Sequence, residues 1–413
     1  VHVTRLVIKD FRNYHAADLQ LDSGIHVFEG ANGQGKTNLV EAIAYLGSLK
    51  SHRVSKDAAL VRFGAQQAVV RAELAHGMRR LSIDVEINKS GANRARVHNS
   101  QVKARELSRF FTTVVFAPED LALVRDDPSG RREFLDALLV IHSPRFAETI
   151  ANYERVLKQR NTLLRSAKSQ RIPADKLGTL EIWNDQLIEL GTKIIVGRLD
   201  LVQRLRPHLA AAYRALADAD HGADITMRVS ALADAATLMD EDDDGGERGG
   251  DITVDEIRER FRTRLLQAQP RELDRGLTLV GPHRDDATFW LNGLPARITA
   301  SHGESWSFAL SLKLASAQLI RAESRTGDPV LILDDVFAEL DGGRRERLSR
   351  AIGDFEQVLI TCAVLADIPE PLRQHRIRIQ SGTILERVAA ATDGIESNTG
   401  IESDTEGEHD ESQ

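Results

Sequence analysis

Apolar and polar positions alternate differently along the chain, and the changes of period divide it into three parts. VTRLVI (3–8) and GIHVFEG (24–30) are short runs rich in β-branched residues, the composition of strands. From Thr37 onward Leu39, Ile43, Leu46 and Leu49 fall at helical spacing. QAVVRAEL and RRLSIDVEI flank His76-Gly77 and predict a hairpin. In the middle of the chain Ile150, Leu157 and Leu164 recur every seven residues, with Tyr153 interleaved. After a loop containing Pro173, Leu180, Leu187, Ile194 and Leu201 repeat that spacing, with Trp183 and Leu190 between them. Two short heptad segments joined by a turn predict an antiparallel coiled-coil hairpin reaching about 40 Å; a helical bundle packed as its own core fits the pattern equally. Beyond residue 270 the α/β pattern returns. TLVGPHRDD leads into the strand ATFWL, and Asn292-Gly293 predicts a tight turn into the next strand. The expected division is 1–120, 121–270 as a helical insertion, 271–390, and a tail at 391–413.

Composition sharpens this in two places. No run of 18 apolar residues occurs, which argues against a membrane span, and the opening VHVTRLVIKDFRNY lacks the apolar segment of an export signal. The expectation is a cytoplasmic protein. One cysteine, Cys362, excludes a disulfide framework and a paired-cysteine zinc site. The formal net charge is -8, but residues 240–251 and the tail from Asp393 hold fifteen of the 62 acidic residues and one of the 54 Lys and Arg. The remainder is therefore basic, and the overall charge does not argue against a DNA partner. Both acidic runs lack apolar content and are expected to be solvated and solubilising, with a nucleic-acid mimic that competes for a basic surface as the alternative. A basic cluster, Lys89, Arg94, Arg96, Lys103 and Arg105, is either an exposed hairpin face or a phosphate-contacting surface.

The chemistry sits at the two ends of the chain. GANGQGKT (30–37) matches G-x-x-x-x-G-K-[ST] after a strand and before a helix. Gly30, Ala31, Asn32, Gly33, Gln34 and Gly35 would turn successive backbone N–H groups toward phosphates, aided by the helix N-terminus. Lys36 would reach the β- and γ-phosphates of ATP, and the Thr37 hydroxyl would ligate Mg²⁺. In PVLILDDVFAELD (329–341) four apolar residues form a buried strand ending in two carboxylates. Asp334 would hold Mg²⁺ through water, and Asp335 would orient or deprotonate the attacking water. A compact P-loop domain has no need of so wide a gap between these motifs. One site built from both chain ends around a helical insertion is the organisation of SMC-like ABC ATPases. Ser301-His302-Gly303-Glu304 is an S-x-x-E capping box before an apolar helix. Capping explains it locally; in the ABC reading Ser301 and Gly303 also complete the site of a second subunit.

The chain resembles the bacterial RecF family of DNA replication and repair proteins over about residues 1–390. The match includes LVIKDFRNY, GANGQGKT, FAPEDLALVRDDPSGRREFLD (116–136), LVGPHRDD (279–286), SHGE and LILDDVFAELD (331–341). The resemblance implies an α/β fold: an ABC-type P-loop ATPase head built from both chain ends, with a helical, short coiled-coil-like arm inserted. It implies an ATP-dependent homodimer, a weak DNA-stimulated ATPase, duplex DNA bound near single-strand gaps, and help in loading recombinase during gap repair, replication restart and the SOS response. It also implies RecR and RecO mediators as partners, and it adds Arg12, in the opening motif, to the nucleotide-binding residues. Several positions depart from the pattern. Glu304 stands where the signature usually has glutamine, Asp335 replaces the glutamate of transporters, and Thr361 occupies the switch position. No clear Q-loop glutamine precedes Glu119-Asp120. Slow hydrolysis is the expectation. Two other classes are weighed against this one. A transporter ATPase subunit would keep its motifs within one compact domain, and a structural chromosome protein would need a far longer coiled coil.

Overall fold

The computed structural model describes residues 1–171, 177–217, 219–233, 252–324 and 327–389. The acidic runs 240–251 and 391–413, and Pro173, lie outside the described residues, as do the side chain of Arg105 and the expectations attached to all of them. Among the described residues two six-stranded sheets build the head. The first is antiparallel, in the order β2 (Tyr14–Gln20), β1 (His2–Phe11), β4 (Gln67–His76), β5 (Arg79–Asn88), β6 (Arg94–Val97), β7 (Ser100–Val102). The expected hairpin at His76-Gly77 joins β4 to β5, with His76 opposite Arg79.

The second sheet runs β15 (Thr383–Ala389), β14 (His375–Gln380), β3 (Gly24–Glu29), β13 (Gln357–Cys362), β12 (Val330–Asp334), β8 (Thr113–Phe116). All its pairings are parallel except β14 with β15. The strand preceding the glycine loop thus lies between two strands from the other end of the chain. β12 and β13 are buried throughout and read as continuous apolar runs, as strands covered on both faces do. Helix α1 (Lys36–Ser48) fills one side, sharing a core with the inner face of the first sheet through Leu39, Ile43, Val70, Ile83 and Ile332.

The other side of the second sheet meets a larger core. That core is shared by the short α2 (Leu121–Arg125), then α3 (Pro128–His142), α4 (Phe146–Gln170), α5 (Leu180–Ala217), α6 (Val254–Arg275), the single turn α7 (Ala296–Thr299), α8 (His302–Glu323) and α9 (Gly342–Ile352). A small sheet, β9 (Asp224–Arg228), β10 (Asp286–Leu291) and β11 (Leu294–Pro295), is carried with the arm. The Asn292-Gly293 turn has both residues at positive φ, 51° and 75°, the conformation that such a two-residue hairpin requires.

The heptad expectation is modified by the packing. α4 and α5 are antiparallel, with Arg160 bonded to Asn184 and Tyr153 against Gly191, but α6 closes them into a three-helix bundle. The buried seam of α4 is Tyr153, Val156, Arg160, Leu164 and Ala167, so Ile150 and Leu157 flank it half-buried. A fully buried arginine holds its centre: Arg160 donates to Asn184 at 2.8 Å, Thr278 at 2.8 Å and Glu272 at 2.7 Å. α5 continues past the bundle and packs along α8, which fixes the arm to the head. At Gly191 an added Cβ would lie 2.6 Å from Phe261, so only glycine lets α6 approach α5 there. No helix among the described residues is long and apolar enough to cross a membrane.

Candidate nucleotide site

The loop 30–37 leaves β3 and enters α1 under tight backbone control. A Cβ at Gly30 would sit 2.4 Å from the Ile379 carbonyl oxygen, so the loop begins pressed against β14. Gly35 has φ 107°, and a Cβ there would meet Asn13 at 2.7 Å and the Tyr14 hydroxyl at 2.9 Å. Ala31, Asn32 and Gly33 are exposed at the tip, and the buried Lys36 folds back to donate to the Ala31 carbonyl at 3.2 Å. Two turns clasp the loop from opposite sides. On one, Tyr14 donates to the Gly35 carbonyl at 3.1 Å. On the other, Gly382 N–H donates to the Gln34 carbonyl at 2.9 Å, and the Ser381 N–H and hydroxyl reach Gln34 Oε1 at 2.5 and 3.2 Å. None of Asn13, Tyr14, Ser381 or Gly382 was legible as a site residue. The only local hint for the second pair is the turn dipeptide itself, Ser-Gly between two strand-like runs.

β12 delivers Asp334 to the same place. It pairs in parallel with β13 so that Asp334 faces Thr361, and that register sets the contact. Asp334 Oδ1 accepts from Thr361 at 2.7 Å and from Thr37 at 2.8 Å. The Asp335 N–H donates to the same Thr361 hydroxyl at 2.9 Å, and Asp335 takes the left-handed φ of 53° that turns the chain out of the strand. The second oxygen of Asp334 faces His52, whose Nε2 stands 3.5 Å away.

The two carboxylates are electrostatically unequal. Burial pushes the pKa of Asp334 up, but His52 and the hydroxyls of Thr361 and Thr37 outweigh it and hold the group below its ordinary value. Asp335 lies above its ordinary value because of burial, with the charge of Asp334 adding to the rise and Lys36 opposing it. Neighbouring acids separated in this way are suited to different tasks: one stays an anion, the other accepts a proton more readily. The chemistry of the donors fits a magnesium nucleotide. A hydroxyl and a carboxylate, both hard oxygen ligands, meet at the foot of the glycine loop, 2.8 Å apart.

Arg12 is placed differently from the loop residues. Its Nε and Nη2 donate to the two oxygens of the fully buried Glu41 on α1, at 2.8 and 2.6 Å, and Nη1 to the Ala59 carbonyl at 3.2 Å. Ser301 and Gly303 begin α8, on the opposite face of the second sheet from α1. Among the described residues neither is hydrogen-bonded to the glycine loop. Ser301 caps the helix: its hydroxyl accepts from Glu304 N–H at 3.3 Å, and Glu304 accepts from Ser301 N–H at 2.8 Å. The latter bond, first among the causes, holds the Glu304 pKa below its ordinary value. The acid at the glutamine position is therefore the second half of the capping box. Arg344 lies over Gly303, where a Cβ would be 3.0 Å from Nη2, and is paired with Asp341 of the ELD segment at 3.1 Å. In the basic cluster Arg94 pairs with Glu86 at 3.5 Å and Arg96 with the buried Asp84 at 3.4 Å, while Lys89 and Lys103 are exposed.

A glycine loop whose threonine meets the last carboxylate of a buried parallel strand, with a separately capped serine helix on the sheet's other face, defines the head of an ABC-type ATPase. The family model of the RecF/RecN/SMC N terminal domain matches residues 2–374. Within that group the chain belongs to the RecF family of DNA replication and repair proteins. It is 55% identical over 393 residues to the "DNA replication and repair protein RecF" of Clavibacter michiganensis subsp. michiganensis, covering 95% of this chain and 97% of that one. To the protein of the same description from Leifsonia xyli subsp. xyli it is 54% identical, over 94% and 100% of the two chains. A solved structure of the recombination mediator protein RecF with ATP superposes with a TM-score of 0.82 at 28% identity, over 94% of this chain and 98% of that one. The Smc head bound to the C-winged helix domain of ScpA shares the fold, with a TM-score of 0.51 at 13% identity over 95% and 98%.

Proposed function

We propose that this protein is an ATP-driven DNA-repair switch. In this reading the N–H groups of 30–35 cradle the phosphates of ATP, Lys36 neutralises the β- and γ-phosphates, and Thr37 with Asp334 holds Mg²⁺. The bound ion would supply charge neutralisation on the phosphate oxygens. Asp335, the carboxylate shifted toward protonation, orients the attacking water and takes its proton. Arg12 supports the site through Glu41 on the helix that carries Lys36 and Thr37. Ser301 and Gly303 serve the nucleotide of a second copy, which makes closure of the homodimer depend on ATP. Duplex DNA near a gap is held mainly through phosphates, with steep salt dependence. DNA stimulates an otherwise weak hydrolysis, and release follows hydrolysis. RecR and RecO mediators act with it in loading recombinase.

The observation that carries this reading is the 2.8 Å bond from Thr37 to Asp334, which joins side chains 297 residues apart in one site. The test mixes two inactive variants. Lys36→Ala and Ser301→Arg should each fail to hydrolyse ATP alone. In a mixed dimer both lesions fall in one composite site and the other is whole, so hydrolysis should partly return. Folded, associating subunits that stay inactive when mixed would count against the two-copy site. Normal ATP affinity in Lys36→Ala would sink the nucleotide assignment itself.

A further inference from the structure

His52 carries no role in the reading above, yet its placement is strongly determined. Glu41 is fully buried on α1, one turn beyond Thr37. It binds Arg12 through two hydrogen bonds, accepts from Ser51 Oγ at 2.5 Å, and lies 3.6 Å from Arg53 Nη1. Arg53 also donates to Asn38 on the same helix at 3.0 Å, and Ser51 Oγ accepts the backbone N–H groups of Arg53 and Val54 at 3.0 and 3.1 Å. A buried carboxylate needs a cationic partner. Arg12 alone meets that need with bidentate geometry. The bonds from Ser51 and Arg53 do something further: they fold residues 51–53 back along α1 and fix His52 between two anchored neighbours. The imidazole is thereby set against Asp334. Its ring nitrogens are buried and make no hydrogen bond of normal geometry, and Nε2 stands 3.5 Å from Oδ2. That is the oxygen which Thr37 and Thr361 leave free, since both donate to Oδ1.

We propose that His52 is a positioning residue for the magnesium-binding carboxylate, with Glu41 as the hub that positions it. The inference rests on the Mg²⁺–ATP reading of the site. Its physical basis is the number of anchors on Asp334. Held only at Oδ1, the carboxylate loses one of two donors whenever the Thr37 hydroxyl turns to another partner, and the group is then free to rotate. His52, 3.5 Å from Oδ2, supplies a contact on the other oxygen that does not depend on Thr37. Partners behind a ligand fix its orientation and raise the affinity of the site. Arg12 then acts two residues removed from the nucleotide, through Glu41 and the 51–53 segment.

The test uses the full chain with Mn²⁺ as the probe, its binding to the protein–ADP complex read by electron paramagnetic resonance. Fluorescent ADP binding in EDTA is measured in parallel, and circular dichroism checks the fold. His52→Ala should bind ADP in EDTA like the unaltered protein but hold Mn²⁺ roughly 10- to 100-fold more weakly. His52→Gln, which keeps an N–H donor, should recover much of the difference, and Glu41→Gln should shift metal affinity in the same direction as His52→Ala. The proposal is overturned if His52→Ala retains full Mn²⁺ affinity, or if it loses ADP affinity equally with and without metal, as a purely structural residue would. Failure of the underlying reading looks different: the unaltered protein would then show no metal-dependent nucleotide binding at all.

Discussion

Two Asp-Asp pairs in this molecule are alike in sequence and opposite in surroundings. Asp285-Asp286 opens β10 at the junction of arm and head, and Asp334-Asp335 closes β12 beneath the glycine loop. The first pair is enclosed by guanidinium groups. Arg131 binds Asp286 through two bonds of 2.7 and 3.0 Å, Arg198 lies 3.8 Å from Asp285, and Arg132 donates to the Asp285 carbonyl at 2.9 Å. Around the second pair, among the described residues, there is no guanidinium contact; hydroxyls, an imidazole and the more distant charge of Lys36 take that place. A carboxylate closed by arginine has no need of another cation, whereas one lined by hydroxyls can receive a metal ion. Position agrees with chemistry, because Asp334 lies at the carboxyl end of a central parallel strand, where α/β sheets place their ligands. The GPHRDD and RREFLD segments therefore read as the joint between arm and head, with Arg198 also tied to Asp136 at 2.8 Å.

The sharpest way to break this comparison is to neutralise one acid in each setting. Asp335→Asn should slow ATP hydrolysis roughly 10²- to 10⁴-fold, the usual loss on removing a general base. Its raised pKa means that its charge opposes folding once the pH is above the unfolded value, so the urea midpoint at pH 7 should stay the same or rise. Arg131→Ala should do the reverse. It leaves Asp286 buried without its cation, at a cost of about 3–5 kcal/mol in urea unfolding, and whatever ATPase remains should keep its ordinary metal requirement. Equal effects of the two variants on stability would erase the distinction drawn here.

Two smaller effects sharpen it. Thr361→Val removes a donor to Asp334 and the acceptor of the Asp335 N–H, and should cost about 1–3 kcal/mol of stability while weakening the metal response of nucleotide binding. At the joint, burial pushes the pKa of His283 down to about 3, with the bond to the Thr278 carbonyl opposing that fall. The folded protein therefore declines a proton that the unfolded chain takes near pH 6.5, and stability is lost as pH falls below that value. His283→Asn removes this dependence. The destabilisation it causes should shrink by about 1 kcal/mol between pH 7.5 and pH 5.5, as followed by urea melts at both pH values. Asp285, raised to about 6 by burial, acts with the opposite sign, so the parent protein's own pH profile near pH 5 is flatter than either group alone would make it.

What the sequence disclosed follows from what is local. Residues 30–37, the apolar run into Asp334, the Ser301–Glu304 box and the Asn292-Gly293 turn each write their structure within a few neighbours, through glycine spacing, capping chemistry or a strand's length. The heptad spacing correctly implied two antiparallel helices, and the helical-bundle alternative agrees with α6 packing as the third, although the period of the first two does not say which segment completes the bundle. It also placed the seam of α4 on Ile150 and Leu157, since an arginine as deeply buried as Arg160 does not look like a core residue until Asn184, Thr278 and Glu272 are brought to it. His52, Asn13 and Ser381 stayed hidden for the same reason. Their importance lies in residues far away in sequence, and in parallel strand register above all.

The interleaving of the second sheet sets a clock on biosynthesis. Thr37 must wait for an aspartate 297 residues further on, and a ribosome moving at about 5–20 residues per second needs roughly 15–60 s to supply it. For that interval β3 is an unpaired parallel strand with both flanking positions empty, since β13 and β14 do not yet exist. The first sheet and α1 can assemble on the nascent chain, and α4 to α6 can bundle, but the strand before the glycine loop has exposed edges throughout. Such an edge invites pairing with other chains. The late arrival of β13 and β14 is thus a hazard during synthesis that is separate from how stable the protein is once complete.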